Sequence, residues 1–231
     1  MVEIEPLVIL ALALGPGVFW VWYFYRRDKF EPEPAALIAR IFLLGVLVTF
    51  PVAFVEGLFG LIIASPLVMG VIIAPIVEEC GKFWVVRRFA YRDVEFDEPM
   101  DGIVYAASAA LGFASLENVL YVFLAYMTSP SLAIGTIIVR ALFSVPGHAL
   151  FSGVWGYALG RARFMAAGQR AGVILRGLAL GIVLHGIFNL LLFSADVVAY
   201  AIVVFILVLI PGLWILANRN IRSALGWRGQ R

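Results

Sequence analysis

Seven apolar stretches, each close to the length of a bilayer crossing, take up most of this 231-residue chain. A span needs about 20 predominantly apolar residues. On that criterion spans are predicted at Leu7–Tyr25, Ala35–Val55, Leu67–Arg88, Gly102–Met127, Ser131–Arg161, Val173–Ser194 and Val197–Ala217. Hydrophobic residues make up 63% of the chain and charged residues 14%. That leaves too little polar surface for a water-soluble globule, where about 45–50% apolar is usual. The apolar runs are continuous and do not alternate in period two, so helices are expected and a barrel is not. The predicted fold is all-α: a polytopic transmembrane helix bundle of about seven spans, one domain over residues 1–231, wrapped in lipid. The short apolar piece Leu58–Ala64, followed by Pro66, reads as an outer connection or a re-entrant segment. The fifth span is too long to stand upright and must tilt, kink near Pro146 or run past the membrane surface.

Charge placement gives an orientation. Lys and Arg follow the first, third, fifth and seventh spans, and Arg40 opens the second on the same side. Of the 17 basic residues, only Lys82 and Arg140 fall elsewhere, both inside spans. The opposite face carries acids alone: Glu3, Glu5, Glu56 and Asp196. The positive-inside rule then places the N-terminus outside and the C-terminus in the cytoplasm. The opening MVEIEP has no basic start, so the first span is expected to be retained and not cleaved as a signal peptide. One cysteine, Cys80, excludes an internal disulfide framework. No basic block with interleaved aromatics points to nucleic acid.

Against this apolar background, Glu78, Glu79, Glu117, His148, His185 and Asn189 stand in the middle of spans. A charge at the bilayer centre costs about 2.5–3.5 kcal/mol on insertion scales, and such residues usually mark a functional interior. Glu78 is about eleven residues into its span, Glu117 about sixteen, His148 about seventeen and His185 about twelve, which at 1.5 Å per residue puts all four near the midplane. Both histidines of the chain belong to the set. Glu78 and Lys82 share a helix face, while Glu79 points about 100° away. Adjacent carboxylates at this depth cannot both ionise without help, which suits one of them to general acid–base work. Arg140, Ser144, His148 and Ser152 step by four along one stripe. Gly177, Gly181, His185 and Asn189 do the same in the sixth span, as do Gly156 and Gly160 in the fifth. Small residues at that spacing allow close helix approach, within the bundle or between copies. The blander alternative is structural ion pairing, Glu78 with Lys82, and Glu79 or Glu117 with Arg140.

EECGK fits an EExxK signature, and an acid-bearing SLEN, a lone histidine and an HxxxN end follow in successive spans. Together, from Ala74 to Asn189, they resemble the PrsW family of polytopic intramembrane proteases. That family is grouped with type II CAAX prenyl endopeptidases and bacteriocin-processing membrane proteins. The resemblance implies cleavage of a membrane-anchored protein substrate, such as an anti-sigma factor, by a catalytic core over about 67–194. It matches Glu78 and Glu79 to the paired acids, Glu117 to the second acid, His148 and His185 to the two histidines, and Asn189 to the asparagine of the prenyl endopeptidases.

Two mechanisms fit these residues. Without metal, Glu78 or Glu79 and His148 activate a water, while His185 and Asn189 stabilise the oxyanion. With zinc, Glu117, His148 and His185 are the ligands and Glu78 is the base. Other classes that place acids and histidines at midplane depth are a proton- or ion-coupled transporter and a non-catalytic scaffold. Against the transporter stand the odd number of spans and the lack of an inverted repeat.

Overall fold

A computed structural model describes residues 6–194 and 199–227. Glu3, Glu5, Asp196, Arg228, Arg231 and the expected start of the seventh span at Val197 lie outside the described residues. Within them the chain is helical, with no strand. In hydrocarbon every backbone polar group must find its partner inside the protein, and a helix does this within one segment. The helices are α1 (Pro6–Tyr25), α2 (Ala35–Gly60), α3 (66–89), α4 (Pro99–Thr128), α5 (Pro130–Arg163), α6 (Ala167–Ser194) and α7 (199–226). All except α3 are long and apolar enough to cross a membrane. The exception carries Glu78, Glu79, Lys82, Arg87 and Arg88. The protein is a multi-pass membrane protein. The apolar piece at Leu58–Ala64 is divided, its first residues ending α2 and the rest forming the turn to α3.

Proline shapes three helices in one way. A π-helical turn at Met69–Ile73 precedes Pro75, one at Arg140–Ser144 precedes Pro146, and one at Phe205–Leu209 precedes Pro211. Proline lacks an N–H, and its ring crowds the carbonyl four residues back. In each case that carbonyl (Val71, Leu142, Leu207) is in the wide turn, where the ladder has room to skip a bond. Neighbouring helices then use the loosened backbone. Asn189 Nδ2 of α6 donates to Gly70 O at 2.8 Å, and Trp20 Nε1 of α1 donates to Ala141 O at 3.2 Å. In the long fifth span, for which a tilt, a kink near Pro146 or an overrun was expected, this wide turn lies next to Pro146.

The bundle is built around α4, whose residues from Pro99 to Ser115 are all buried. Its close neighbours are α5, α2 and α1. At the α4–α5 crossing, Gly102 and Gly156 face each other so closely that a Cβ on either would strike the other's carbonyl oxygen. The Gly177–Gly181 stripe is likewise used inside the molecule, packing on Ala158, Phe151 and Trp155 of α5.

The arginine-bearing end of the bundle buries four carboxyl groups, Asp28, Glu33, Glu98 and Asp101. Asp101 caps α4 by accepting from the backbone N–H groups of Asp97 and Glu98, both at 2.7 Å, and Tyr105 donates to Glu33. Burial pushes Glu33 up to about 7, and burial followed by the neighbouring Asp28 charge pushes Glu98 up to about 8. A carboxyl raised by folding binds its proton more tightly folded than unfolded. Its stabilising contribution is therefore full below the ordinary carboxylate range and is lost as pH rises through 7 to 8. The melting temperature in detergent should fall between pH 5 and pH 9. A Glu33→Gln, Glu98→Gln double variant should flatten that fall, and an unchanged slope would refute the assignment.

Candidate active site

Four helices, α3, α4, α5 and α6, deliver the midplane groups to one place. The stretch Ala74–Phe89 of α3 buries Glu78, Glu79 and Lys82. Lys82 Nζ lies 3.0 Å from Glu78 Oε2, 3.0 Å from Glu79 Oε1 and 2.9 Å from His148 Nδ1. An ammonium has three protons and no lone pair, so Lys82 donates all three and His148 Nδ1 accepts. His148 Nε2 then carries the ring proton and donates to Glu117 Oε2 at 2.9 Å. The ring tautomer thus follows from the lysine. Phe113 closes this corner, its ring centre 4.3 Å from Nζ.

Glu79 is fully enclosed and accepts from four donors. Lys82 and His185 Nδ1 reach Oε1 at 3.0 and 3.1 Å, while Ser152 Oγ and Trp155 Nε1 reach Oε2 at 2.6 and 2.8 Å. In a neutral ring that donates Nδ1–H to Glu79, His185 Nε2 is the acceptor nitrogen, and it lies 4.0 Å from Glu78 Oε2. Phe151 stacks on the His185 ring with centres 4.8 Å apart. A carboxylate behind an imidazole whose far nitrogen is free is the usual support of a histidine metal ligand.

Glu117 has a different setting from the one expected. Arg140 Nη2 donates to its Oε2 at 2.9 Å, and the same oxygen accepts from His148. Arg140 is held in turn by Asn118 Oδ1 at 2.9 Å and lies over the Tyr121 ring. Arg140 therefore pairs with Glu117, and the alternative pairing with Glu79 does not occur. The groups whose ligand atoms converge, all within 4.8 Å of one another, are Glu78, His148 and His185. The expected ligand trio of Glu117, His148 and His185 does not converge as one set of ligand atoms: Glu117 lies against His148 Nε2 and is paired with Arg140. Asn189, expected as an oxyanion donor beside His185, donates to Gly70 O and ties α6 to the wide turn of α3.

These groups face a cavity of about 420 Å³ lined by Glu78, Glu117, Arg140, His148, His185 and Asn189. It is lined as well by Glu56, which the charge pattern had placed on the outer surface. Spacing along a helix had shown Ser152 on the His148 stripe. It gave no sign of Trp155, whose indole N–H is invisible in an apolar pattern, nor of the Lys82–His148 contact across two helices.

The donor set can be tested for size. Ligands held tetrahedrally at about 2.1 Å from a zinc ion sit about 3.4 Å apart, whereas partners of one water at about 2.8 Å sit about 4.6 Å apart. From Glu78 Oε2 the distances are 3.7 Å to His148 Nδ1 and 4.0 Å to His185 Nε2. They fall between the two values, so the trio can close on a metal once Lys82 yields His148 Nδ1.

Residues 33–214 match the PrsW family intramembrane metalloproteases. The protease PrsW of Geobacillus kaustophilus is 38% identical over 95% of this chain and 93% of its own length. That of Bacillus subtilis is 34% identical over 80% of this chain and 82% of its own, and that of Halalkalibacterium halodurans 33% identical over 94% and 96%. No solved structure matches the chain. The match spans the helices that carry every one of these midplane groups, and the chain belongs to the PrsW family of intramembrane proteases.

Proposed function

We propose that the chain, as one domain with its catalytic core over about 67–194, hydrolyses a peptide bond of a membrane-anchored protein, an anti-sigma factor being the substrate type implied by the resemblance. The supporting observation is the convergence of Glu78, His148 and His185 from α3, α5 and α6 on one cavity. The N-terminus is placed outside and the arginine-bearing end in the cytoplasm.

Glu78 holds the reactive position. Of the paired acids it alone faces the cavity, with Oε2 aimed between the two imidazoles. It takes the proton of the attacking water. His185 Nε2, its ring oriented by Glu79, accepts a hydrogen bond from that water, while His148, held at Nδ1 by Lys82 and at Nε2 by Glu117, walls its position. Lys82 holds Glu78 in register, and Arg140 with Glu117 walls the cavity. Glu78, His148 and His185 would hold zinc, which when bound supplies a Lewis acid that eases ionisation of water and polarises the scissile carbonyl.

The test is purified protein in proteoliposomes with a single-span reporter, assayed beside elemental analysis. About one zinc per chain is expected, lost together with cleavage in His148→Ala and His185→Ala and after treatment with a strong chelator. Undiminished cleavage by metal-free protein would remove zinc and leave water activation by Glu78 and the histidines. No cleavage of any reporter would remove the peptidase reading.

A further inference from the structure

Once the charges of the site are paired, Glu56 remains. On α2, Val52 packs over Gly81 of α3, where an added Cβ would come within 2.6 Å of Val52 Cγ2. The two helices are joined by a short turn and run antiparallel, so one turn beyond Val52 brings Glu56 level with Val77 and Glu78. Glu56 lines the same cavity. Its Oε1 is buried and accepts no hydrogen bond from any described residue. The nearby cations are engaged elsewhere, Lys82 with Glu78, Glu79 and His148, and Arg140 with Glu117 and Asn118. Nor does Glu56 belong to the converging trio.

A partly buried carboxylate facing this cavity is costly to keep ionised, and no hydrogen bond or ion pair of a described residue returns that cost. Whatever enters the cavity can. In a peptidase the entrant is a polypeptide, and an internal stretch of polypeptide offers only lysine and arginine side chains as permanent cations. Both have stems long enough to reach a wall from the backbone. We propose that Glu56 is a specificity-determining residue that receives a lysine or arginine side chain of the substrate close to the cleaved bond. This rests on the peptidase reading of the site.

The test uses the full chain in proteoliposomes and single-span reporters, each residue flanking the cut being changed in turn to Lys, Arg, Ala and Glu. Wild type should prefer Lys or Arg over Ala at one position by about tenfold in kcat/KM, carried mainly by KM, as expected for one partly desolvated charge pair. Glu56→Gln should remove that preference. Glu56→Lys should reverse it, favouring Glu at the same position. Three results would overturn the proposal while leaving the peptidase intact: no cationic preference in wild type, a preference that survives Glu56→Gln, or equal slowing of all reporters by Glu56→Gln. The last would make Glu56 a general proton carrier. A wild type that cuts no reporter overturns the peptidase reading and this proposal with it.

Discussion

Glu78→Gln should lower kcat for reporter cleavage by about a thousandfold while leaving the folded protein intact, because loss of a general base typically removes 10²–10⁴ of rate. The substitution is nearly isosteric and falls on the acid that faces the cavity. Lys82 keeps its bonds to Glu79 and His148, so the buried ammonium stays paired. The amide oxygen can still accept from Lys82, and the amide N–H₂ can turn toward the cavity and its water. What disappears is the proton acceptor and, where zinc is held, one anionic ligand. The loss should therefore appear in kcat with KM little changed, and the melting temperature should stay within a few degrees of wild type. A Glu78→Gln protein that cleaves at wild-type rate would refute the role given to this carboxylate. A protein that fails to fold would show that the charge at Glu78, like that at Glu79, is structural.

The sequence carried the architecture because burial in lipid leaves so little freedom. An apolar run of span length must be a helix, and basic residues following alternate spans constrain the count of crossings. Depth could be read as well, since the rise per residue converts position into height. Azimuth across helices could not. Glu117 and Glu78 lie at similar heights, and only the packing of α3 and α4 against α5 decides which nitrogen of the His148 ring each of them meets. The same limit explains Glu56. By sequence it stands near the end of a span with no basic neighbour and reads as an outer acid, whereas the close approach of Val52 to Gly81 rotates it inward. The wide turns before Pro75, Pro146 and Pro211 were half legible. Each proline announced a defect, but the side chains that satisfy the freed carbonyls, Asn189 and Trp20, come from α6 and α1. Asn189 both lines the cavity and binds the backbone of α3, while Trp155, unmarked in an apolar pattern, donates to the acid behind His185.

The second large effect concerns stability. Glu79→Ala should lower the melting temperature in detergent by about 10 °C or more, since removing one member of a buried charged network costs about 3–5 kcal/mol. Glu79 accepts four hydrogen bonds and donates none. Its removal strands the Trp155 N–H and the Ser152 hydroxyl in a dry interior and leaves Lys82 with a single acid. Glu79→Gln should also destabilise, unlike Glu78→Gln. Every neighbour of Glu79 is a donor, so whichever way the amide turns, its N–H₂ points at donors. Replacing the pair together, as Glu79→Leu with Lys82→Met, should recover part of the loss, because an apolar pair of similar volume needs no desolvated partner. The recovered protein should still be inactive: His185 would have no acceptor to fix its tautomer and His148 no donor to fix its own. Stability and cleavage would then separate in one variant. If Glu79→Ala melts like wild type, the four-donor environment is not what holds α3, α5 and α6 together, and the division of labour between the adjacent acids falls with it.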